Sequence, residues 1–270
     1  MTSTIETPGK ARAAISKRHL RTDNWWLTPL LTFLGLAGFL IYATVRLFVD
    51  GYYWSPEQSY LAPFYSPCLA TTCTEGSSHF LGQPFDLSAL PSWVSPAMII
   101  LILPGGFRAT CYYYRKSYYR SFWVSPPACA VPDGHKKYTG ETRFPLIFQN
   151  VHRYFFYAAV LVGAVLTYDA GIAFFDQAGD FRVGVGTVIL VLNAIAIWAY
   201  TLGCHSCRNI VGGRLTHFSK HPIRYWLWTQ VSKLNKRHQF WAWVSMFSVV
   251  IADAYVWMVS AGVFTDLTII

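Results

Sequence analysis

Five long apolar runs, separated by segments whose charges sort by sign, constrain this chain more than any other feature. A helix needs about 20 mostly apolar residues to cross roughly 30 Å of hydrocarbon, where its backbone must satisfy itself internally. Such runs extend over 25–49, 93–113, 146–168, 183–207 and 239–263. The second is the least regular, because Pro104-Gly105-Gly106 interrupts it and Arg108 follows. A break of that kind is tolerated where neighbouring protein re-satisfies the backbone. Composition agrees: 53% of the 270 residues are hydrophobic and 13% charged, with a mean hydropathy of +0.30. A soluble domain carries about 25% charged residues, so an ordinary cytosolic enzyme is excluded. The expected fold class is an all-α integral membrane protein, a single domain of five transmembrane helices over 25–263 without an internal repeat.

Charge then orients the bundle. Five Lys/Arg lie in residues 1–24, seven in the stretch from Arg108 to Arg143, and seven more from Arg208 to Arg237. Together these hold 19 of the 22 basic residues, and five crossings put all three segments on one side. The loop over 50–89 has no Lys or Arg, only Asp50, Glu57, Glu75 and Asp86. By the positive-inside rule the N-terminus is cytoplasmic, as are the loops 114–145 and 208–238. The loop 50–92 and the tail 264–270 are then outside, in a multi-pass protein of the cell membrane. The first run is too long for a cleaved signal peptide and reads as a signal anchor. Anionic headgroups and topology account for the net charge of +9. No nucleic-acid motif accompanies it.

Cysteines and histidines also sort by side. Cys68 and Cys73 share the outer loop, where a disulfide is the default, and Cys129 reads as a free thiol of an inner loop. At 1.5 Å of rise per residue, Cys111, His152, Cys204, Cys207 and His238 come to one depth near the inner ends of four helices. A buried Cys alone is usually a small hydrophobe, and His205, His217, His221 and His19 read as interfacial donors. Soft-ligand side chains gathered inside a bundle are functional by default. A haem b between facing histidines could use His152 with His205 or His238, but a second haem lacks an outer His within the spans. Zinc would take two Cys and two His, with little gain for a helical bundle. A Rieske-type 2Fe–2S cluster takes two Cys on one iron and two His on the other. The expected ligands are Cys111, His152, Cys207 and His238, with Cys204 the alternative to Cys207; Cys204 and Cys207 as the pair is a competing assignment.

Four stretches carry a resemblance: Cys111-Tyr112-Tyr113-Tyr114-Arg115-Lys116, Asn150-Val151-His152-Arg153-Tyr154-Phe155-Phe156, Gly203-Cys204-His205-Ser206-Cys207-Arg208-Asn209 and Lys236-Arg237-His238-Gln239-Phe240-Trp241. Over about residues 20–265 the chain resembles the membrane anchor subunit of succinate dehydrogenase (complex II), in its actinobacterial form. The resemblance implies a flavoprotein that oxidises succinate and an iron–sulfur subunit that relays electrons, both docked on the cytoplasmic side, with a higher oligomer of the complex as a further option. Anchors of this family usually carry haem b. This sequence departs from that by lacking the outer His and adding Cys at the inner level, which favours an iron–sulfur centre.

The expected function is therefore electron transfer from the docked subunit through the cluster to menaquinone or ubiquinone. Tyr113, Arg153, Gln239 and Trp241 lie within about a turn of the ligands and have the proton-donating and polar chemistry a quinone needs. They are equally suited to be interfacial anchors. Asp253 and Arg46, both within spans, form either a structural pair or part of a proton path. The run 223–234 reads as an interfacial amphipathic helix and a docking surface. A quinone-linked thiol oxidase is an alternative, weakened because the two Cys pairs lie on opposite sides. A transporter is another, against which the lack of an inverted repeat speaks.

Overall fold

The computed structural model describes residues 21–131 and 146–269. Eight α-helices organise them: α1 Leu27–Phe48, α2 Pro96–Thr110, α3 Tyr112–Ser121, α4 His152–Ile172, α5 Val185–Leu202, α6 His205–Gly212, α7 Pro222–Lys236 and α8 His238–Ser260. Four of these, α1, α4, α5 and α8, are long and apolar enough to cross a membrane, while α2 is a shorter apolar helix. Helices α5 and α8 form the central pair, with α4 on α5 and α2 on α4. Helix α1 is the least buried of the long four.

Helix α2 corrects two sequence expectations. Pro104 lies inside the helix without ending it, and Pro96 occupies its first position, where a missing N–H costs nothing. The break falls later, at Cys111, whose extended backbone (φ −65°, ψ 133°) separates α2 from α3. The fourth span likewise stops at Leu202, short of the expected 207. Cys204 there is extended (φ −65°, ψ 145°) and begins α6. The helix expected over 223–234 is present as α7.

At the acidic-loop end, residues 50–95 fold back on the bundle. A two-residue hairpin pairs β1 (Trp54–Ser55) with β2 (Tyr60–Leu61), and Cys68 and Cys73 form the expected disulfide. Tyr60 is fully buried between the bundle and the C-terminal tail, its hydroxyl bonded to Thr187 Oγ1 (3.0 Å) and Asp266 Oδ2 (2.8 Å). Ser66 bonds Asp169 of α4. Arg46 and Asp253 meet at 2.7 Å with both side chains wholly buried. Asp253 also accepts from Tyr42 (2.7 Å) and from the Phe64 amide (3.3 Å). The structural pair is thus what the geometry supports: the carboxylate ties α1, α8 and the outer loop together.

Candidate metal centre at the basic end

The two helix breaks bring two thiols to one place. Cys111 starts α3 and Cys204 starts α6, so each thiol sits at a helix N-terminus, where unpaired N–H groups favour negative charge. Cys204 Sγ already accepts from the Ser206 amide at 3.3 Å. Both lie beyond the membrane-crossing helices, and burial pushes the Cys204 thiol up to about 11 and raises Cys111 too. A cation is needed to deprotonate thiols held this way.

Each thiol faces an imidazole. His152 Nε2 lies 3.2 Å from Cys204 Sγ, and His238 Nε2 lies 3.7 Å from Cys111 Sγ. The tautomer of His152 follows from its second contact. Thr110 Oγ1 spends its one proton on Gly106 O (2.7 Å), so at 2.8 Å it can only accept from His152 Nδ1–H. Nε2 is then left with its lone pair directed at the thiol. Phe107 stacks on this ring (centroids 4.9 Å, 4° apart), and Tyr200 stacks on His238 (5.0 Å, 7°). His238 is buried, and its Nδ1 has no hydrogen-bond partner among the described residues. A side chain at Gly203 would meet that nitrogen at 3.2 Å and Ala199 O at 2.8 Å, so glycine there lets the imidazole approach the break.

A cavity of about 160 Å³ lies among these groups, lined by Cys111, His152, Cys204 and His238 together with Thr110, Tyr112, Tyr113, Arg115, Gln149 and His205. The expected ligands Cys111, His152 and His238 therefore share one site. The cysteine from α6 on its wall is Cys204; Cys207 is buried in the adjoining core but does not line the cavity. The break after Gly203 is the reason, because it places Cys204 before α6 and Cys207 within it. His205, set aside as an interfacial donor, also lines the cavity, 6.3 Å from the His238 ring and stacked on Tyr113. Its proton affinity is lowered by burial and by Arg208. Its adjacency to Cys204 was the signal available in sequence.

The four residues expected to grip a quinone are dispersed. Tyr113 lines the cavity. Arg153 donates to Asn209, Trp241 packs on the core of this end, and Gln239 lines a separate polar cavity with Arg21, Lys116 and Arg120. A larger apolar cavity of about 250 Å³ runs between α1, α2, α4 and α5, and Phe107 and Tyr200, the rings stacked on the two histidines, belong to its wall. Arg108, Thr201 and Ser66 are polar residues on its lining.

The donor set suits some groups better than others. Among the described residues no three His, Cys, Asp or Glu side chains converge as on a single metal ion, which disfavours one tetrahedral zinc. Two sulfur and two nitrogen donors from four helices around a small void are the donor types of a centre whose ligands divide between two irons.

A family model described as actinobacterial succinate dehydrogenase subunit SdhC matches residues 27–262. The chain is also similar to a chain of the Mycobacterium smegmatis Sdh1 complex in the apo form, at 55% identity over 100% of both chains with a TM-score of 0.88. No curated protein matches.

Proposed function

Because this chain belongs to the actinobacterial SdhC family of succinate dehydrogenase subunits, we propose that it carries electrons from a docked iron–sulfur subunit to a quinone through a Rieske-type 2Fe–2S centre at its basic end. It is a membrane subunit of the complex, and the other subunits are its partners. The iron–sulfur subunit, itself fed by a succinate-oxidising flavoprotein, docks on the cytoplasmic face formed by α3, α6 and α7.

The observation that carries the reading is the meeting of Cys111, His152, Cys204 and His238 around one small cavity. The centre would supply a one-electron carrier whose potential histidine ligation raises toward that of a quinone. Everything else is done by the chain. Cys111 and Cys204 offer thiolates at helix N-termini, and Thr110 holds His152 with Nε2 free to ligate. Phe107 and Tyr200 fix the imidazole planes and exclude water. The same two rings separate the ligand site from the apolar cavity, which has the lining an isoprenoid quinone needs, with Arg108 and Thr201 as polar contacts for a carbonyl. Tyr113 lines the ligand side of that partition.

The test is an EPR and optical spectrum of the dithionite-reduced complex, with iron and acid-labile sulfide content. A low-average-g iron–sulfur signal that disappears in His238→Ala, with succinate oxidation by an artificial acceptor retained, is the expected result. A sharp haem α-band instead would assign the histidines to haem and return the cysteines to the core.

A further inference from the structure

We propose that Arg115 is the charge-compensating residue of the basic-end centre, holding a positive charge against it and raising its affinity for an electron. The proposal rests on the iron–sulfur reading above. Arg115 is 8% exposed, and its buried Nε has no hydrogen-bond partner among the described residues. Its one described contact is the Tyr112 ring, 5.9 Å from Cζ, at the limit of a cation–π interaction. The other arginines of the interior differ. Arg46 is neutralised by Asp253, Arg108 donates to Tyr114 and Ser245, and Arg208 donates to Ser232. Leaving a buried guanidinium N–H without an acceptor is costly, so the position of Nε suits an anionic neighbour.

That neighbour is in the cavity. Arg115 lines it, and no Asp or Glu does. The Arg115 amide bonds Cys111 O at 2.9 Å, so Arg115 stands one helical turn from the thiol that starts α3. In the oxidised centre two thiolates cancel the charge of the two-iron, two-sulfide core, and Arg115 leaves the site with one positive charge. One electron from the docked subunit then brings the site to neutrality, with no proton required. A positive charge close to a poorly screened site favours that electron strongly.

Potentiometric EPR titration of the purified complex decides this. Arg115→Gln is expected to weaken the reduction equilibrium at least tenfold, a fall of about 59 mV in the one-electron midpoint. Arg115→Lys should keep most of the potential, and Arg120→Gln, farther along α3, should leave it unchanged. Gln149→Glu places a carboxylate on the cavity wall without removing the guanidinium, and should lower the midpoint in the same direction. If Arg115→Gln does not assemble, Gln149→Glu decides: an unshifted midpoint there overturns the proposal, as does an unshifted Arg115→Gln. Either result with a normal wild-type signal leaves the cluster reading intact. A wild-type complex without an iron–sulfur signal at this site removes both.

Discussion

At the scale of single residues, Thr110 shows how one hydroxyl sets the tautomer of a neighbouring imidazole. Its proton goes to Gly106 O, which obliges it to accept from His152 Nδ1 and leaves Nε2 unprotonated toward Cys204. Outer partners of this kind are worth about 10–100-fold in metal retention. Thr110→Val keeps the shape and removes the acceptor. It is expected to lose iron and acid-labile sulfide correspondingly faster under timed exposure to a chelator, with the complex still assembled. Retention equal to wild type would detach Thr110 from the centre.

Between elements, the two ends of the bundle are held by different devices. At the basic end, the helices break at Cys111 and Cys204, and the short helices α3 and α6 begin there with thiols at their N-termini. At the other end a buried ion pair is the strut between α1 and α8, reinforced by Tyr42 and by the Phe64 amide of the outer loop. Removing one member of such a pair strands the other, at a cost of about 3–5 kcal/mol, whereas replacing both with apolar residues can be nearly neutral. Asp253→Asn should therefore lower the thermal unfolding midpoint of the detergent-purified complex much more than Arg46→Leu with Asp253→Leu. Quinone turnover per folded complex should be unchanged in both. Lost turnover in a stable Asp253→Asn complex would instead revive a proton path.

For the molecule as a whole, the segregation of charge predicts its orientation. Basic residues crowd the end that bears α3, α6 and α7, and the disulfide lies at the opposite end with Asp266 and the tail. The tail is tied there by backbone bonds from Val185 to Leu267 and from Ile269 to Val183. A phosphatase fused after Ile270 should be active, and a green fluorescent protein fused there should be dark, because the first folds only outside and the second only inside. The reverse pair of results would invert the topology and place the docking face outside. With the expected result, the iron–sulfur subunit, the ligand cavity and α7 all share the cytoplasmic side.

The division between what could be read from the residues and what could not follows one physical line. Hydrophobicity acts locally, so the long apolar helices and the Cys68–Cys73 pairing were legible in the chain. Depth was legible too, since a helix rises by a constant step per residue, and Cys111, His152 and His238 do meet at one level. Rotation about the helix axis was not. A helix carried through 207 would set Cys204 and Cys207 on one face; the break after Gly203 resets that phase, leaves Cys204 and His205 on the cavity and turns Cys207 away. The same cause scatters Arg153, Gln239 and Trp241, each near the ligands in sequence yet committed to other neighbours. Pro104 reads as a break and is not one, because its ring is accommodated within α2. Packing alone decides which side a residue faces, and so only the tertiary structure could show Arg115 buried on the cavity wall, its Nε without a partner among the described residues.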